Sequence, residues 1–181
     1  MKYMVVSDIH GSEYYAEKIR EKFLVERADK LIVLGDIYYH GPRNPLPEGY
    51  SPKNVAFTLN QLSSVIVMIK GNCDSEVDEC ISDFKFLPFA QMEICGKKFY
   101  FTHGHINNID SYDGIDFDVM VYGHFHKGFI TQKDDKIFAN PGSVSLPKYG
   151  TENSYMIIDE QTKKMTIKNF SNKVITEKVV E

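Results

Sequence analysis

Short apolar runs recur along this chain, and nearly every one ends in a polar island built from Asp, Asn or His. Residues 3–6 run into Asp8-Ile9-His10, residues 31–34 into Gly35-Asp36, and residues 65–69 into Gly71-Asn72-Cys73-Asp74. Farther along, 98–102 leads to His103-Gly104-His105, 119–122 to Gly123-His124-Phe125-His126, and 137–139 to Asn140-Pro141-Gly142. Apolar runs this short, bounded by turn-forming residues, read as β-strands. Strands laid side by side bring their ends to one edge of a sheet, however distant they are in sequence. The islands would then converge, and the fold would be organised around one polar edge.

The segments between the runs set the class. Residues 13–27 read as a helix capped by Ser12, with Tyr15, Ile19 and Phe23 on one face. A strand, a helix and a second strand at this spacing imply a parallel pair joined by a right-handed crossover. Residues 52–62 read as a second helix with Pro52 in its first turn. Between the helices, residues 37–53 are rich in Pro, Gly and Tyr and read as a long loop. Its Tyr38, Tyr39 and Tyr50 make it a candidate lid or a contact between copies in a homo-oligomer. Residues 75–90 read as irregular or partly helical. The second half turns to hairpins: 92–95 with 98–102, 129–132 with 137–139, and 155–159 with 165–169. The expectation is an α/β fold, a two-sheet β-sandwich flanked by helices, in one domain over residues 1–181.

Bulk properties narrow the partners. At 181 residues and 43% hydrophobic content, the chain can bury a full core without disulfides. Its three cysteines, Cys73, Cys80 and Cys95, are scattered, and the first strand begins so close to Met1 that no leader fits. Both features read as a reduced, cytoplasmic protein. No apolar run reaches the ~20 residues of a membrane span. The net charge of −4 argues against sequence-specific or general nucleic-acid binding. Two bound divalent cations would neutralise it and make the local field positive.

The islands themselves carry metal-ligand chemistry. Asp8 and His10 stand two apart, on one face of an extended segment. Asp36 follows a glycine that lets the backbone turn sharply. Asn72 offers a neutral oxygen to a hard cation, and the two His-x-His elements hold four of the six histidines. Each island alone has an ordinary reading as a cap or a turn. Their repetition after successive strands does not.

The order Asp-x-His, Gly-Asp, Gly-Asn-x-Asp, His-Gly-His, Gly-His-x-His resembles the calcineurin-like metallophosphoesterases over residues 4–147. Within that family, Gly41-Pro42-Arg43-Asn44, Gly71–Asp78 and Asn140–Ser145 are similar to a bacterial phosphodiesterase subgroup. The resemblance implies two metal sites. Asp8, His10, Asp36 and His126 would hold one ion, and Asp36, Asn72, His103 and His124 the other, with Asp36 bridging. Mn²⁺ is the default ion, with Fe, Ni and Zn as alternatives. Neither His40 nor His105 is a ligand in this mapping. Many family members carry a histidine after the asparagine, thought to assist the leaving group. This chain has Cys73, as does the subgroup.

The expected activity is a phosphodiesterase acting on a small-molecule diester. In that reading two cations would share a water and lower its pKa towards ~7, and the resulting hydroxide would attack phosphorus in line. Asp36, Asn72 and His10 would be the catalytic residues, and Arg43, Asn72 and Cys73 would border the substrate. A phosphomonoesterase is the runner-up. Monoester dianions need more positive charge, for which only Arg43 and Lys70 are apparent in the sequence. A non-catalytic scaffold on the same fold is the third alternative, though all seven ligands that the resemblance implies are present here, which argues for an enzyme.

Overall fold

The computed structural model describes residues 1–180. The N-terminal half runs β1 (Lys2–Val6), α1 (Glu13–Glu26), β2 (Lys30–Val33), α2 (Pro52–Asn60), β3 (Ile66–Ile69), a 3₁₀ turn (Glu76–Ile81) and β4 (Phe86–Leu87). The C-terminal half is all strand. Its elements are β5 (Ala90–Ile94), β6 (Lys97–Thr102), β7 (Val119–Tyr122), β8 (Gly128–Lys133), β9 (Lys136–Pro141), β10 (Ser154–Asp159), β11 (Lys164–Asn169) and β12 (Val174–Val179).

Two sheets result. The first has the order β12-β11-β10-β1-β2-β3-β4, and the second β5-β6-β7-β9-β8. β1, β2, β3 and β4 are parallel, while β10 returns antiparallel to β1. In the second sheet β6, β7 and β9 are parallel, with antiparallel hairpin partners β5 and β8 outside them. The expected α/β sandwich is the fold observed.

Strand alternation sorts the core into layers. Val5, Ile32 and Leu34 of the first sheet pack with Phe99, Phe101, Val119 and Val121 of the second. On the opposite face, Met4, Val6, Leu31 and Val33 pack with Ile19 and Phe23 of α1 and with Val55 and Leu59 of α2. Ser12 caps α1 as expected, its Oγ accepting the Tyr15 N–H at 3.2 Å. Both helices therefore lie on the outer face of the first sheet. The outer face of the second sheet is covered instead by a small cluster of four aromatic rings, Tyr100, Phe117, Tyr122 and Phe138, and Met120, under the loop after β6.

Three sequence expectations change. β4 and β12 are additional strands. β4 is two residues long, and β12 is a largely exposed edge strand with no buried face to mark it. Tyr38 is not part of a lid: it is 2% exposed, sits in the helix-side core, and shares a 2.7 Å hydrogen bond with Ser82. Of the three loop tyrosines, Tyr39 is the exposed one.

Candidate metal centre

The parallel strands β1, β2, β3, β6 and β7 all end on the same edge, and the polar islands meet there. The turns after β1 and β2 stay paired beyond the strands. Asp8 N–H donates to the Gly35 carbonyl at 3.1 Å, and His10 N–H to the Asp36 carbonyl at 2.8 Å. The sheets are joined at this edge by the His124 N–H, which donates to Asp8 Oδ2 at 3.0 Å. Gly35 allows the close approach: a Cβ there would stand 2.7 Å from His103 Nδ1. A Cβ at Gly71 would collide with the Asp36 carboxylate.

Two clusters of donor atoms form. In the first, His126 Nε2 lies 3.3 Å from Asp8 Oδ1 and 3.3 Å from His10 Nε2. In the second, His103 Nε2 lies 3.0 Å from Asn72 Oδ1, 3.2 Å from His124 Nδ1 and 3.4 Å from Asp36 Oδ1. Asp36 faces both: its other oxygen, Oδ2, is 3.8 Å from His10 Nε2. All seven residues singled out in the sequence thus come to one place. Cys73 sits beside Asp36, its backbone N–H donating to Asp36 Oδ1 at 2.8 Å. His105 lies outside both clusters, its ring 5.3 Å from that of His103.

Hydrogen bonding at the back of the rings orients them. His10 Nδ1 is 2.7 Å from the Tyr39 carbonyl, His103 Nδ1 2.6 Å from that of Leu34, and His126 Nδ1 2.6 Å from that of Leu146. A carbonyl only accepts, so each Nδ1 carries a proton, and each ring in its neutral form presents a bare Nε2 to the cluster. Lone pairs of nitrogen and carboxylate oxygen then face one another at close range. Asp8 Oδ1 is buried with no hydrogen-bond partner. Such a set is poorly satisfied by protein alone and well satisfied by a cation, and backbone-anchored imidazoles are the usual support of metal ligands. The residues fit divalent metal ions.

Without a metal, the local electrostatics favours a proton on the second cluster. Burial opposes protonation of His103, but its hydrogen bond to Asp36 and the charges of Asp8 and Asp36 prevail and raise its pKa to about 9. Burial and the charge on His103 push His124 down to about 4. The carboxylates therefore draw one positive charge into the second cluster even without a metal. Burial, followed by the charge of Asp36, pushes the Cys73 thiol up to about 12.

The backbone is strained at this spot. Asp8, His10, Asp36, His124 and His126 have φ values of 57°, 50°, 55°, 63° and 55°. Non-glycine residues seldom adopt this region, and strain of this kind gathers at functional sites.

Several supporting residues were not assigned roles from sequence. Asp74 accepts three backbone N–H groups, from Asp36 at 2.9 Å, Gly71 at 2.7 Å and Ile37 at 2.8 Å. Ser143 and Ser145 donate their hydroxyls to the Asp8 carbonyl at 2.8 and 3.0 Å. Asn140 donates to the Gly123 carbonyl at 2.7 Å, so what reads as a plain turn braces the His124 loop. A cavity of about 480 Å³ faces the clusters, lined by Asp36, Arg43, Asn72, Cys73, His124, His126 and Lys148 among others. Lys148 is the unforeseen member. Lys70, expected near the site, instead lies 3.9 Å from Glu79 and does not line the cavity.

Residues 1–163 match the calcineurin-like phosphoesterase superfamily domain. The chain belongs to this superfamily. Phosphodiesterase YfcE of Escherichia coli (strain K12) is 42% identical to it over 161 residues, 88% of each sequence. The solved structure of the E. coli phosphoesterase Yfce matches with a TM-score of 0.95 at 36% identity, over 100% of both chains. Phosphodiesterase MJ0936 of Methanocaldococcus jannaschii is 28% identical, across 78% of this chain and 83% of its own. Membership makes the chain a metallophosphoesterase, a hydrolase of a family that implies divalent metal ions. No helix of the described residues is long and apolar enough to cross a membrane.

Proposed function

We propose that this protein is a dinuclear-metal-dependent phosphodiesterase acting on small-molecule diesters. The observation that carries the proposal is Asp36, whose two oxygens face separate donor clusters. One ion would be held by Asp8, His10, Asp36 and His126, the other by Asp36, Asn72, His103 and His124. When bound, such a pair supplies Lewis acidity and an activated water. Oxygen and imidazole donors without thiolate favour Mn²⁺ over Zn²⁺. We read the chain as one cytoplasmic domain.

The chain's own residues define the rest. Arg43 and Lys148 line the cavity in front of the clusters and would pair with non-bridging phosphoryl oxygens. His10 and Asn72 would border the phosphoryl group. Cys73 stays protonated at neutral pH and serves neither as nucleophile nor as an efficient acid, so proton delivery to a poor leaving group is weak. Lys148 removes the shortage of positive charge that would by itself exclude monoesters. The preference for diesters therefore rests on leaving-group chemistry and on the kinship with named phosphodiesterases.

The test is metal analysis followed by turnover. Manganese-loaded protein should hold two ions per chain and hydrolyse bis(4-nitrophenyl) phosphate, and chelator should abolish the activity. kcat/KM should exceed that for 4-nitrophenyl phosphate by about tenfold or more, roughly 1.4 kcal/mol in transition-state binding. A preference for the monoester would favour a phosphatase. Loaded protein that cleaves neither would favour a scaffold.

A further inference from the structure

A second cavity of about 470 Å³ adjoins the first, and Arg43, His124 and Lys148 line both. Phe125, Lys127 and Tyr149 line only the second. The Phe125 ring is fixed edge-on against Tyr122 at 5.4 Å. Tyr149 is 80% exposed, an unusual state for a large ring, and its backbone has a φ of 57°. Lys127 Nζ stands 6.0 Å from the centre of that ring. No acidic residue lines this cavity. Among the described residues, none of Arg43, Lys127 and Lys148 has an ion-pair partner.

Two aromatic faces ringed by three uncompensated cations make a surface with a definite complement. Ring faces are covered by a flat group, and cations without carboxylates are neutralised by an anion from outside. A diester whose phosphorus faces the donor clusters would extend one substituent past the shared wall into this cavity.

We propose that the second cavity binds the non-leaving part of the substrate, and that this part is an aromatic group carrying at least one further phosphate. The aromatic group stacks on Tyr149 beside Phe125, and the extra phosphate pairs with Lys127. This specificity subsite rests on the phosphodiesterase reading of the adjoining clusters.

Three diesters that all release 4-nitrophenolate test it: methyl 4-nitrophenyl phosphate, thymidine 5′-(4-nitrophenyl phosphate), and the latter with an added 3′-phosphate. The leaving group is constant, so differences report the other substituent. kcat/KM should rise about tenfold at each step, chiefly through KM. Tyr149→Ala should remove the first gain and Lys127→Ala the second, while methyl ester hydrolysis stays unchanged in both variants. A second readout avoids turnover: calorimetry on chelator-treated protein. There, thymidine 3′,5′-bisphosphate should bind about tenfold tighter than thymidine 5′-phosphate, and Lys127→Ala should erase the difference. Equal rates on the three esters, or gains that persist in both variants, would overturn the subsite. If loaded wild-type protein fails even on the methyl ester, the phosphodiesterase reading falls, and the calorimetry still decides the subsite.

Discussion

At Asp36 the backbone turns through a φ of 55° while the side chain divides between two donor clusters. Four other donor residues share the left-handed conformation, at a cost on the order of 1 kcal/mol each. Strain of this size persists where the surroundings hold it. For Asp36 they are the Cys73 N–H on Oδ1 and the Asp74 carboxylate on its backbone N–H. Asp36→Asn keeps the shape and removes the charge that would hold two cations together. We expect the fold to persist by circular dichroism, with most bound metal and nearly all turnover lost. A variant with two ions per chain and wild-type turnover would contradict the dinuclear arrangement. Cys73 makes the opposite case. Its thiol is half-buried beside Asp36 and stays neutral well above physiological pH. Cys73→Ala should retain its metal and its activity on activated diesters, with no covalent intermediate detectable by mass spectrometry.

Among the elements, the ends of β2 and β3 are tied by one side chain. Asp74 gathers the N–H groups of Asp36, Ile37 and Gly71, so one side chain links the turn carrying Asp36 to the turn carrying Asn72. Asp74→Ala would strand three buried donors, each worth about 1–3 kcal/mol. The expected result is a loss of several kcal/mol in denaturant unfolding together with weaker metal binding. Asp74→Asn should recover part of both, since its carbonyl oxygen can still accept two of the three bonds. Full stability in Asp74→Ala would show that the turns hold themselves. This brace also marks the limit of what sequence conveys. Asp8, His10, Asp36, Asn72, His103, His124 and His126 were legible because each follows an apolar run and has a side chain with metal-binding chemistry. Asp74, Ser143 and Ser145 bind only backbone, and turn-forming residues are common in any loop. Lys148 reaches the site through the tertiary path of the chain after β9, which carries no local pattern. β4 was too short to register, and β12 lacked the alternation of buried residues that marks a strand.

Across the whole molecule, the donor set is shared between the two sheets. Asp8, His10, Asp36 and Asn72 follow strands of the first sheet, while His103, His124 and His126 follow β6 and β7 of the second. Each proposed ion would therefore draw ligands from both sheets and clamp their edges together. The His124–Asp8 hydrogen bond, the contact between His103 Nδ1 and the Leu34 carbonyl, and the Ser143 and Ser145 hydroxyls on the Asp8 carbonyl already do so. Binding confined to the folded state stabilises by about 2.7 kcal/mol per site when the ion is at 100 times its Kd. For a chain of this length each kcal/mol raises Tm by roughly 2–4 °C, so two filled sites should add on the order of 10–20 °C. Calorimetric melts of chelated and manganese-saturated protein measure this directly. His126→Ala and His103→Ala, which each remove a ligand from a different cluster, should each cut the manganese-induced shift to about half. Asp36→Asn, at the junction, should nearly abolish it. A Tm that does not respond to manganese would mean that the clusters do not bind it tightly enough to join the sheets. A shift that survives in Asp36→Asn would mean the two clusters act as separate sites without a bridging residue.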